Sequence, residues 1–482
     1  MRFQAPFAAP RALVVAPLLF LLVPASALRA ADPAPVASHA SVAPLTQPAH
    51  KPIGNPPGQS GVAARGTFNK EIVRILQARC QTCHHAGDIA PFPLTTYREA
   101  YPYRDQIRRV TSARVMPPWH VANSCSKFEG DPSLTDLEIR TIAGWVAGGA
   151  PEGDARDLPS PINFGNGWKL GTPDLQLTMP EAFTPNFSSG DVYRCFVLPT
   201  NLAEDRWVKS VEVKPSVRAM VHHVLLFIDT GNSSTVLDAN EPGPGYTCFG
   251  GPGFNISVDT GLLAGWAPGA RALELPDGVG ILLPKGSKVV MQVHYSSRAG
   301  VVAPHATTVG INYTTAPVHK RFRTFPLVNQ TFKIPPGASD YPVTVAVPII
   351  PIGLHILSVF PHMHLLGQTM NIEVTALDGV KTCLVEVPDW DFQWQGNYAY
   401  QEPVGILPGM RIDLRATYDN SSRNPENPNI PPKEVGWGEN TTDEMCLAFL
   451  GVTLDYENLV ANPGQAQTTL KDVGIRAETG KE

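Results

Sequence analysis

Three residues near the start of the chain have the types and spacing that attach a haem. Cys80, Cys83 and His84 form the motif C-x-x-C-H. Two thiols at this spacing can add to the two vinyl groups of a haem, and the imidazole that follows can bind the iron from one side. A structural disulfide and half of a zinc site are the alternatives, but no second C-x-x-C and no H-x-x-x-H follow in this region. The motif therefore predicts covalently attached haem c.

A second axial ligand is predicted farther along the same region. Met116 stands in V-M-P-P-W, where the two prolines favour an extended loop. A thioether ligand would give a Met/His iron of raised potential, which suits electron transfer. His85 and His120 are the rival ligands, although His85 follows His84 too closely to reach the opposite face of the ring easily. Core packing is the alternative role of Met116, and ligation is favoured.

The second half of the chain carries histidines whose spacing predicts metal binding. His362 and His364 are separated by one residue, so on a strand they point to the same face and can hold one ion. His294 stands in Q-V-H-Y. The adjacent His222 and His223 would point to opposite faces of a regular strand. Both can bind one ion only if the strand ends or bulges there.

A methionine narrows the choice among the possible metals. An H-x-H pair alone suits zinc, iron or copper. Met445, in T-T-D-E-M-C, offers a soft thioether that favours copper, and Cu(I) above all. Core packing of Met445 is the alternative that spacing alone leaves open.

Four segments in order carry a specific resemblance. They are V-H-H-V-L-L-F at 221–227, Q-V-H-Y at 292–295, the H-x-H followed by Gly367, and D-E-M-C at 443–446. Together they resemble the copper type II, ascorbate-dependent monooxygenases, the family of peptidylglycine α-hydroxylating monooxygenase and dopamine β-hydroxylase. The resemblance covers residues from about 190 to 455.

The resemblance implies two copper ions with different ligands and a C–H hydroxylation that uses O2. An electron-storing copper would be held by His222, His223 and His294. The copper that binds O2 would be held by His362, His364 and Met445, which are the implied catalytic residues. Two separate one-electron centres suit a reaction that takes two electrons from outside, and the family uses ascorbate as the reductant. The family fold is two tandem jelly-roll-like sandwiches with one copper on each.

Three departures from the family pattern concern the substrate. The Arg that binds the substrate carboxylate in the peptide-amidating enzymes is Phe360 here, two residues before the H-x-H. Leu447 and Phe449 stand where those enzymes have Asn and Tyr. A peptidylglycine substrate is therefore disfavoured, and the resemblance implies a small apolar or aromatic molecule, closer to the dopamine-type branch.

The resemblance also implies disulfides. In the family the cysteine after the ligand methionine is bonded, and Cys383 is the remaining cysteine in that half of the chain, so a bond between Cys446 and Cys383 is expected. Cys195 occupies a family disulfide position, with Cys248 as its expected partner. Cys125 would then be the unpaired thiol.

The elements that position these residues follow from periodicity. Residues 1–30 are expected to be a signal peptide, with an uncleaved anchor as the alternative, and 31–66 a linker rich in Ala, Pro, Ser and Gly. Residues 67–152 predict a small all-α, cytochrome c-like domain of about three helices, one of them around 98–110. Its first helix and its last are marked by an apolar face of Phe68, Ile72, Ile75 and Leu76, and by a Thr135/Glu138 capping box.

After Pro151 the pattern becomes that of short strands, for example 206–213, 222–228, 288–295 and 371–376. About 280 residues of this pattern exceed one sandwich, so two all-β sandwiches are expected, at 172–325 and 326–456. Residues 457–482 are polar and are expected to form a loose tail. The predicted fold is thus multidomain, with one small helical domain before two tandem sandwiches.

Composition limits the partners. With 43% hydrophobic and 17% charged residues and a net charge of −5, the chain has material for a core but no basic cluster, so nucleic acid is not an expected partner. No segment after the signal peptide is apolar for long enough to span a membrane, and a periplasmic or secreted location is expected.

The predicted function is a copper monooxygenase that acts on O2 and a small molecule, with electrons relayed through the haem and an external donor. A haem- and copper-containing protein for electron transfer or copper handling is the alternative. A blue-copper oxidase is excluded because no cysteine of the strand-rich region has both His and Met close after it, and a zinc hydrolase would make poor use of Met445.

Overall fold

The computed structural model describes residues 66–86, 88, 90–164, 168–255, 261–267, 270–296 and 300–479. The predicted signal peptide and all of the predicted linker except Gly66 lie outside the described residues.

A helical region comes first in the described chain. It begins with a π-helical turn, Phe68–Ile72, which continues into α1, Val73–Arg79. The following helices are α2 (Tyr97–Ala100), α3 (Arg104–Ser112) and α4 (Asp136–Ala147). The predicted helix around 98–110 is divided by a 3-10 turn, Tyr101–Tyr103, that contains Pro102. Proline lacks the N–H that a continuous α-helix would use there.

The core of this region is the one that the periodicity predicted. Phe68, Ile72 and Leu76 are fully buried, and Trp145 of α4 packs in the same cluster. The Thr135 side chain accepts from the amide of Glu138, whose carboxylate accepts from the amide of Thr135, so the predicted capping box is present. Helix α4 ends at Gly148, as expected from the sequence.

Short strands make up most of the remaining chain, together with α5 (Ser233–Ala239). Those of the first sandwich are β1 (Leu175–Thr178), β2 (Val192–Pro199), β3 (Arg206–Pro215), β4 (Val221–Asp229), β5 (Tyr246–Thr247), β6 (Leu262–Trp266), β7 (Leu273–Glu274), β8 (Val279–Leu283), β9 (Lys288–Tyr295), β10 (Thr307–Tyr313) and β11 (Lys320–Arg321). One sheet has the order β1-β10-β3-β8-β11, with β7 on β3, and the other has the order β5-β2-β9-β4-β6.

The second sandwich follows directly. Its strands are β12 (Arg323–Asn329), β13 (Lys333–Ile334), β14 (Tyr341–Val347), β15 (Leu354–His362), β16 (Gly367–Thr375), β17 (Lys381–Val387), β18 (Tyr398–Ile406), β19 (Arg411–Tyr418), β20 (Val435–Gly436), β21 (Cys446–Leu454) and β22 (Glu478–Thr479). The sheets are β12-β21-β15-β18 and β17-β16-β19-β14-β22, and β13 pairs with β20.

Each pair of sheets encloses its own apolar core. Val211 and Ile281 from one sheet of the first sandwich pack with Phe196 and Met291 from the other. A second cluster joins the two sheets that contain β15 and β16. The predicted class of two all-β sandwiches is confirmed, and the chain passes from one to the other at Phe322, between β11 and β12.

The segment after residue 456 is packed, so the expectation of a loose tail was wrong. Leu459, Leu470 and Ile475 are buried, and β22 pairs with β14. The Arg323 guanidinium, fully buried, forms an ion pair with Glu457 at 2.6 Å. These few apolar side chains recur too irregularly in a polar stretch to show a periodic face.

The disulfides correct part of the sequence expectation. Cys195 is bonded to Cys248, as expected. Cys383 is bonded to Cys125, 258 residues away, and not to Cys446, which is a buried free thiol. The expected bond between Cys446 and Cys383 and the expected free Cys125 were therefore wrong, because sequence does not determine connectivity and the loop after α3 reaches β17. Among the described helices, none is long and apolar enough to cross a membrane.

Candidate metal sites

A bulge in β4 resolves the difficulty of two adjacent histidines. Strands β4 and β9 pair antiparallel, with Val221 opposite Tyr295 and His223 opposite His294. The register shifts between Val221 and His223, so His222 is the extra residue. A bulge of this kind lets two consecutive side chains turn toward one side of a sheet. The bulge that His222 and His223 need in order to bind one ion is therefore present.

The three imidazoles of this site converge through their Nδ1 atoms. The Nδ1 of His223 lies 3.3 Å from that of His222 and 3.4 Å from that of His294. Candidate ligand atoms of all three residues lie within 4.8 Å of one another. The Nε2–H of His294 donates to Asp191 Oδ2 at 2.9 Å, which leaves the lone pair on Nδ1 for a metal. The residues fit one copper ion held by nitrogen ligands.

Burial keeps these imidazoles neutral. It lowers the pKa of His222 to about 3, with a smaller contribution from the neighbouring His294. It also lowers the pKa of His223 well below the usual value, and His294 adds to that effect. Neutral imidazole is the form that binds a metal, so protons compete weakly with a metal at this site.

His362 and His364 offer Nε2 to a metal, whereas the three-histidine site offers Nδ1. The Nδ1–H of His362 donates to Gln395 Oε1 at 2.8 Å, and that of His364 donates to the carbonyl of Asp443 at 3.1 Å. Both lone pairs are therefore on Nε2, the usual consequence of such outer hydrogen bonds in metal sites. The two rings are 5.2 Å apart and nearly perpendicular, at 89°.

Met445 is held beside His364 by a buried carboxylate. Glu444 Oε2 accepts from the amides of His364 and Met445, at 2.9 and 3.0 Å, and its Oε1 accepts from the amide of Leu366 at 2.6 Å. Burial raises the pKa of Glu444 to about 8, against these hydrogen bonds, which lower it. Met445 is 6% exposed and immediately precedes β21, in which Leu447 pairs with His362. The backbone of Met445 is therefore held close to that of the H-x-H pair.

An apolar surface borders this second site. Phe360 and Phe449 are direct partners on β15 and β21, and their rings stack at 6.3 Å and 12°. The ring of Phe360 is 6.5 Å from that of His362. Phe360, Leu447 and Phe449 are all half-buried. The three departures noted in the sequence thus lie together around the H-x-H histidine.

Comparisons with known proteins match parts of the chain to a family model and to curated relatives. Residues 324–457 match the copper type II ascorbate-dependent monooxygenase C-terminal domain. Mouse (Mus musculus) DBH-like monooxygenase protein 1 is 25% identical over 366 residues, which cover 66% of this chain and 55% of that protein. The matches support the copper type II monooxygenase family.

Two further matches cover smaller parts of the chain. Dopamine beta-hydroxylase of Canis lupus familiaris is 23% identical over 258 residues, which cover 48% of this chain and 37% of that protein. The chain spans about half the length of the first curated relatives it matches, at 55%. Among solved structures, a peptide-N(4)-(N-acetyl-beta-D-glucosaminyl) asparagine amidase aligns with a TM-score of 0.25 and 10% identity over 58% of this chain and 96% of that chain.

Two loops contact the candidate ligands or the groups that hold them, and of the two only the loop before β21 contains a segment, T-T-D-E-M-C, that the sequence analysis singled out. In the connection between β17 and β18, Trp390 Nε1 donates to the carbonyl of His364 at 3.1 Å, and Gln395 holds His362. In the loop before β21, Thr441 Oγ1 donates at 3.0 Å to Asp191, the carboxylate that holds His294. Gln395 and Asp191 contact candidate ligands, Thr441 contacts Asp191, and the sequence assigned no role to any of the three.

The C-x-x-C-H residues lie in the helical region. Cys80 and Cys83 are not bonded to each other, and the Nδ1–H of His84 donates to the carbonyl of Phe92 at 3.0 Å, which leaves Nε2 for iron. Met116 is half-buried and follows α3, with its amide donating to Val110 at 3.3 Å.

The two rivals of Met116, His85 and His120, each contact other residues through one part of the ring. The ring of His85 stacks on Phe164 at 3.9 Å. The Nδ1–H of His120 donates to the carbonyl of Asp389, in the second sandwich, at 3.0 Å. The same bond leaves the buried Nε2 of His120 without a hydrogen-bond partner among the described residues, so His120 as well as Met116 stays a candidate for the second axial position.

The haem motif and the three-histidine site are joined by an ion pair. Asp88, four residues after His84, accepts from Arg218 at 2.7 Å, and Arg218 stands four residues before His222. The Asp88 side chain is 7% exposed and that of Arg218 is 26% exposed. The turn after the C-x-x-C-H is therefore fixed against the segment that leads into β4.

The histidines that were assigned no metal role have other partners. His305 is fully buried, with Nδ1 at 3.0 Å from the Tyr295 hydroxyl and Nε2 at 3.2 Å from the Thr307 hydroxyl. His355 pairs with Asp455 at 2.6 Å on the surface. The amide of His319 donates to Gly278.

Proposed function

We propose that this chain is an exported copper monooxygenase that hydroxylates a C–H bond of a small apolar or aromatic substrate and takes its electrons through a c-type haem. The observation that carries the proposal is the pair of unlike imidazole clusters. In one the Nδ1 atoms converge, and in the other they are hydrogen-bonded to Gln395 and Asp443, while Glu444 holds the backbone amides of His364 and Met445 together. The balanced reaction converts R–H, O2, two electrons and two protons into R–OH and water.

When bound, two copper ions supply two one-electron reductants and a site for O2. His222, His223 and His294 would hold one ion, and His362, His364 and Met445 the other. Gln395 and the carbonyl of Asp443 fix the tautomers of the second pair, and Asp191 fixes that of His294. A soft sulfur ligand favours Cu(I), the state in which the second site would meet O2.

The apolar surface supports the substrate class. Phe360, Leu447 and Phe449 offer no partner for a carboxylate, and an aromatic ring prefers a stacked or edge-on contact with such a surface. A substrate held there would present its C–H bond beside His362. Replacing Phe449 by Ser should raise the KM for an aromatic substrate by about 10-fold and leave kcat less affected.

The ion pair between Asp88 and Arg218 supports the electron route. Haem, when bound, would be a one-electron carrier held by Cys80, Cys83 and His84, with Met116 as second axial ligand. Arg218 stands four residues before His222 and holds the turn after this motif through Asp88. Electrons would therefore enter at the three-histidine site. The external reductant, ascorbate or another donor, would act on the haem.

The two disulfides support an extracytoplasmic location, periplasmic or secreted, since such bonds persist in oxidising compartments. Covalent attachment of haem c at C-x-x-C-H would take place in the same compartment.

The experiment uses the full chain, loaded with copper and haem, under isotopically labelled O2. A panel of alkyl-substituted aromatic compounds is supplied with ascorbate, and products are analysed by mass spectrometry. Incorporation of one labelled oxygen atom is expected, and a His364→Ala variant serves as the control without the second copper. Rapid copper reduction by the haem without any labelled product would instead assign the chain to electron transfer or copper handling.

A further inference from the structure

The ring of Phe392 contacts imidazoles of both candidate copper sites. Phe392 belongs to the connection between β17 and β18. Its ring stacks on that of His222, with centroids 4.6 Å apart and planes at 19°. The same ring meets that of His364 edge-on, at 5.8 Å and 84°. One side chain thus contacts an imidazole of each site.

The backbone of the same residue continues into a chain of hydrogen bonds. The carbonyl of Phe392 accepts from Gln395 Nε2 at 3.0 Å, and Gln395 Oε1 accepts from His362 at 2.8 Å. His222 also hydrogen-bonds to the backbone of Phe392. The amide of Gln395 is therefore oriented by Phe392 and in turn orients His362, so that no water is needed to connect the sites.

We propose that Phe392, together with Gln395, is the route by which electrons pass between the two copper sites. The inference rests on the proposed function and adds to it the residues that carry the transfer. Copper held by His222, His223 and His294 would supply one electron, and copper held by His362, His364 and Met445 would accept it. No bond is formed or broken and no proton is transferred.

The physical reason is electronic contact. Electron transfer weakens steeply with the width of a gap that holds no bonded or closely packed atoms. Here a π-system in van der Waals contact with both imidazoles, and a short series of hydrogen bonds, replace such a gap. Phe392 is a positioning and conducting residue, not a ligand, and no motif of ligand types contains it.

A second connection between the sites can be compared with the route through Phe392. It runs from His294 through Asp191 to Thr441, and then along the backbone to the Asp443 carbonyl that holds His364. It contains no ring, and it crosses two residues of main chain between hydrogen bonds. It therefore offers a longer path with the same end points.

The test measures electron redistribution and needs no substrate. Copper-loaded full chain is half-reduced under carbon monoxide, which binds Cu(I) and retains the electron at the site that it occupies. A light pulse releases the carbon monoxide, samples are frozen after increasing delays, and the Cu(II) signal of each site is integrated by electron paramagnetic resonance. The electron redistribution that follows release of the carbon monoxide uses the same route as the proposed transfer between the sites.

The variant Phe392→Leu keeps an apolar side chain and the carbonyl but removes the ring, and Phe392→Tyr keeps the ring. The Leu variant is expected to lose the fast phase of redistribution, with full copper content and unchanged Cu(II) spectra, and the Tyr variant to keep it. Thr441→Val breaks the second connection and is expected to keep the fast phase.

Native kinetics in Phe392→Leu would overturn the proposal, as would a larger loss in Thr441→Val. Copper loss in Phe392→Leu would also count against it, because the ring would then be support for the ligands. The proposed function fails separately: if redistribution depends on Phe392 but no labelled oxygen reaches any product, the route stands and the oxygenase does not.

Discussion

The two candidate copper sites bring their ligands together in different ways. The three-histidine site is built within one sheet, on adjacent strands β4 and β9, and a single bulge brings its ligands together. The second site is built where β15 ends and β21 is about to begin, and it depends on a buried carboxylate, Glu444, that fixes both segments. One site belongs to a sheet and the other to a junction of loops.

The difference extends to the ring atoms and the surroundings. At the first site the Nδ1 atoms converge, and at the second the Nδ1 atoms are occupied by Gln395 and Asp443. The first site faces the segment joined to the haem motif through Arg218, and the second faces Phe360 and Phe449. Under the proposed function, this arrangement would separate the entry of electrons from the binding of substrate.

The largest effect is expected when one ligand of each site is removed. His294→Ala and His364→Ala should each lose one copper ion of the two and reduce hydroxylation to background, because each ligand set is incomplete without it. Metal analysis with electron paramagnetic resonance identifies the site that is lost. Loss of both ions in His294→Ala would show that the sites do not fold independently.

The disulfides allow a link within the first sandwich to be compared with a link between the helical region and the second sandwich. Replacing Cys125 and Cys383 by Ala opens a link of 258 residues, and replacing Cys195 and Cys248 opens one of 53. Each loss should cost about 2–5 kcal/mol, and the longer link about 1 kcal/mol more, since closure entropy grows with loop length. Urea unfolding followed by tryptophan fluorescence measures both. Equal costs would contradict the entropic account.

The outer hydrogen bonds should act on one site at a time. Gln395→Ala should weaken copper binding at the second site, and Asp191→Ala at the first, each by about 10- to 100-fold, because the imidazole loses its fixed tautomer. Copper titrations resolved by site provide the measurement. A matched variant, Gln393→Ala, changes an exposed neighbour in the same loop and should leave both affinities unchanged.

A smaller effect is expected from acid on the first sandwich. Burial lowers the pKa of His305 to about 4 from its usual 6.5. Below pH 6.5 His305 is protonated in the unfolded chain but stays neutral in the folded chain. The free energy of unfolding therefore falls as the pH decreases from about 6.5 toward 4. The cost should be about 1 kcal/mol near pH 5.5. In His305→Gln the decline over this range should be shallower, and an identical decline would assign the effect to other groups.

Sequence predicted the parts of the fold that depend on local pattern. The apolar face of the first helix, the capping box at Thr135 and strands such as β9 follow from periodicity and side-chain chemistry. The bulge at His222 was a stated condition for a shared ion, and the structure has it. Ligand types at suggestive spacings therefore indicated the candidate residues before any geometry was known.

What sequence did not predict depends on contacts between distant segments. Cys125 is bonded to Cys383 because a loop of the helical region lies on the second sandwich, which no local pattern records. Phe392 and Gln395 act through position, and their residue types are common in loops. The packed segment after residue 456 was missed because its apolar residues are few and irregularly spaced.

That segment determines where the chain can be cut. The guanidinium of Arg323 lies at the start of the second sandwich and is neutralised by Glu457 and by main-chain oxygens such as that of Thr468. A fragment that stopped at residue 456 would retain the cation in an apolar interior and discard its counter-charge, a loss of about 3–5 kcal/mol for a buried pair. Any shortened version meant for studying the copper chemistry should therefore keep its C-terminal extension.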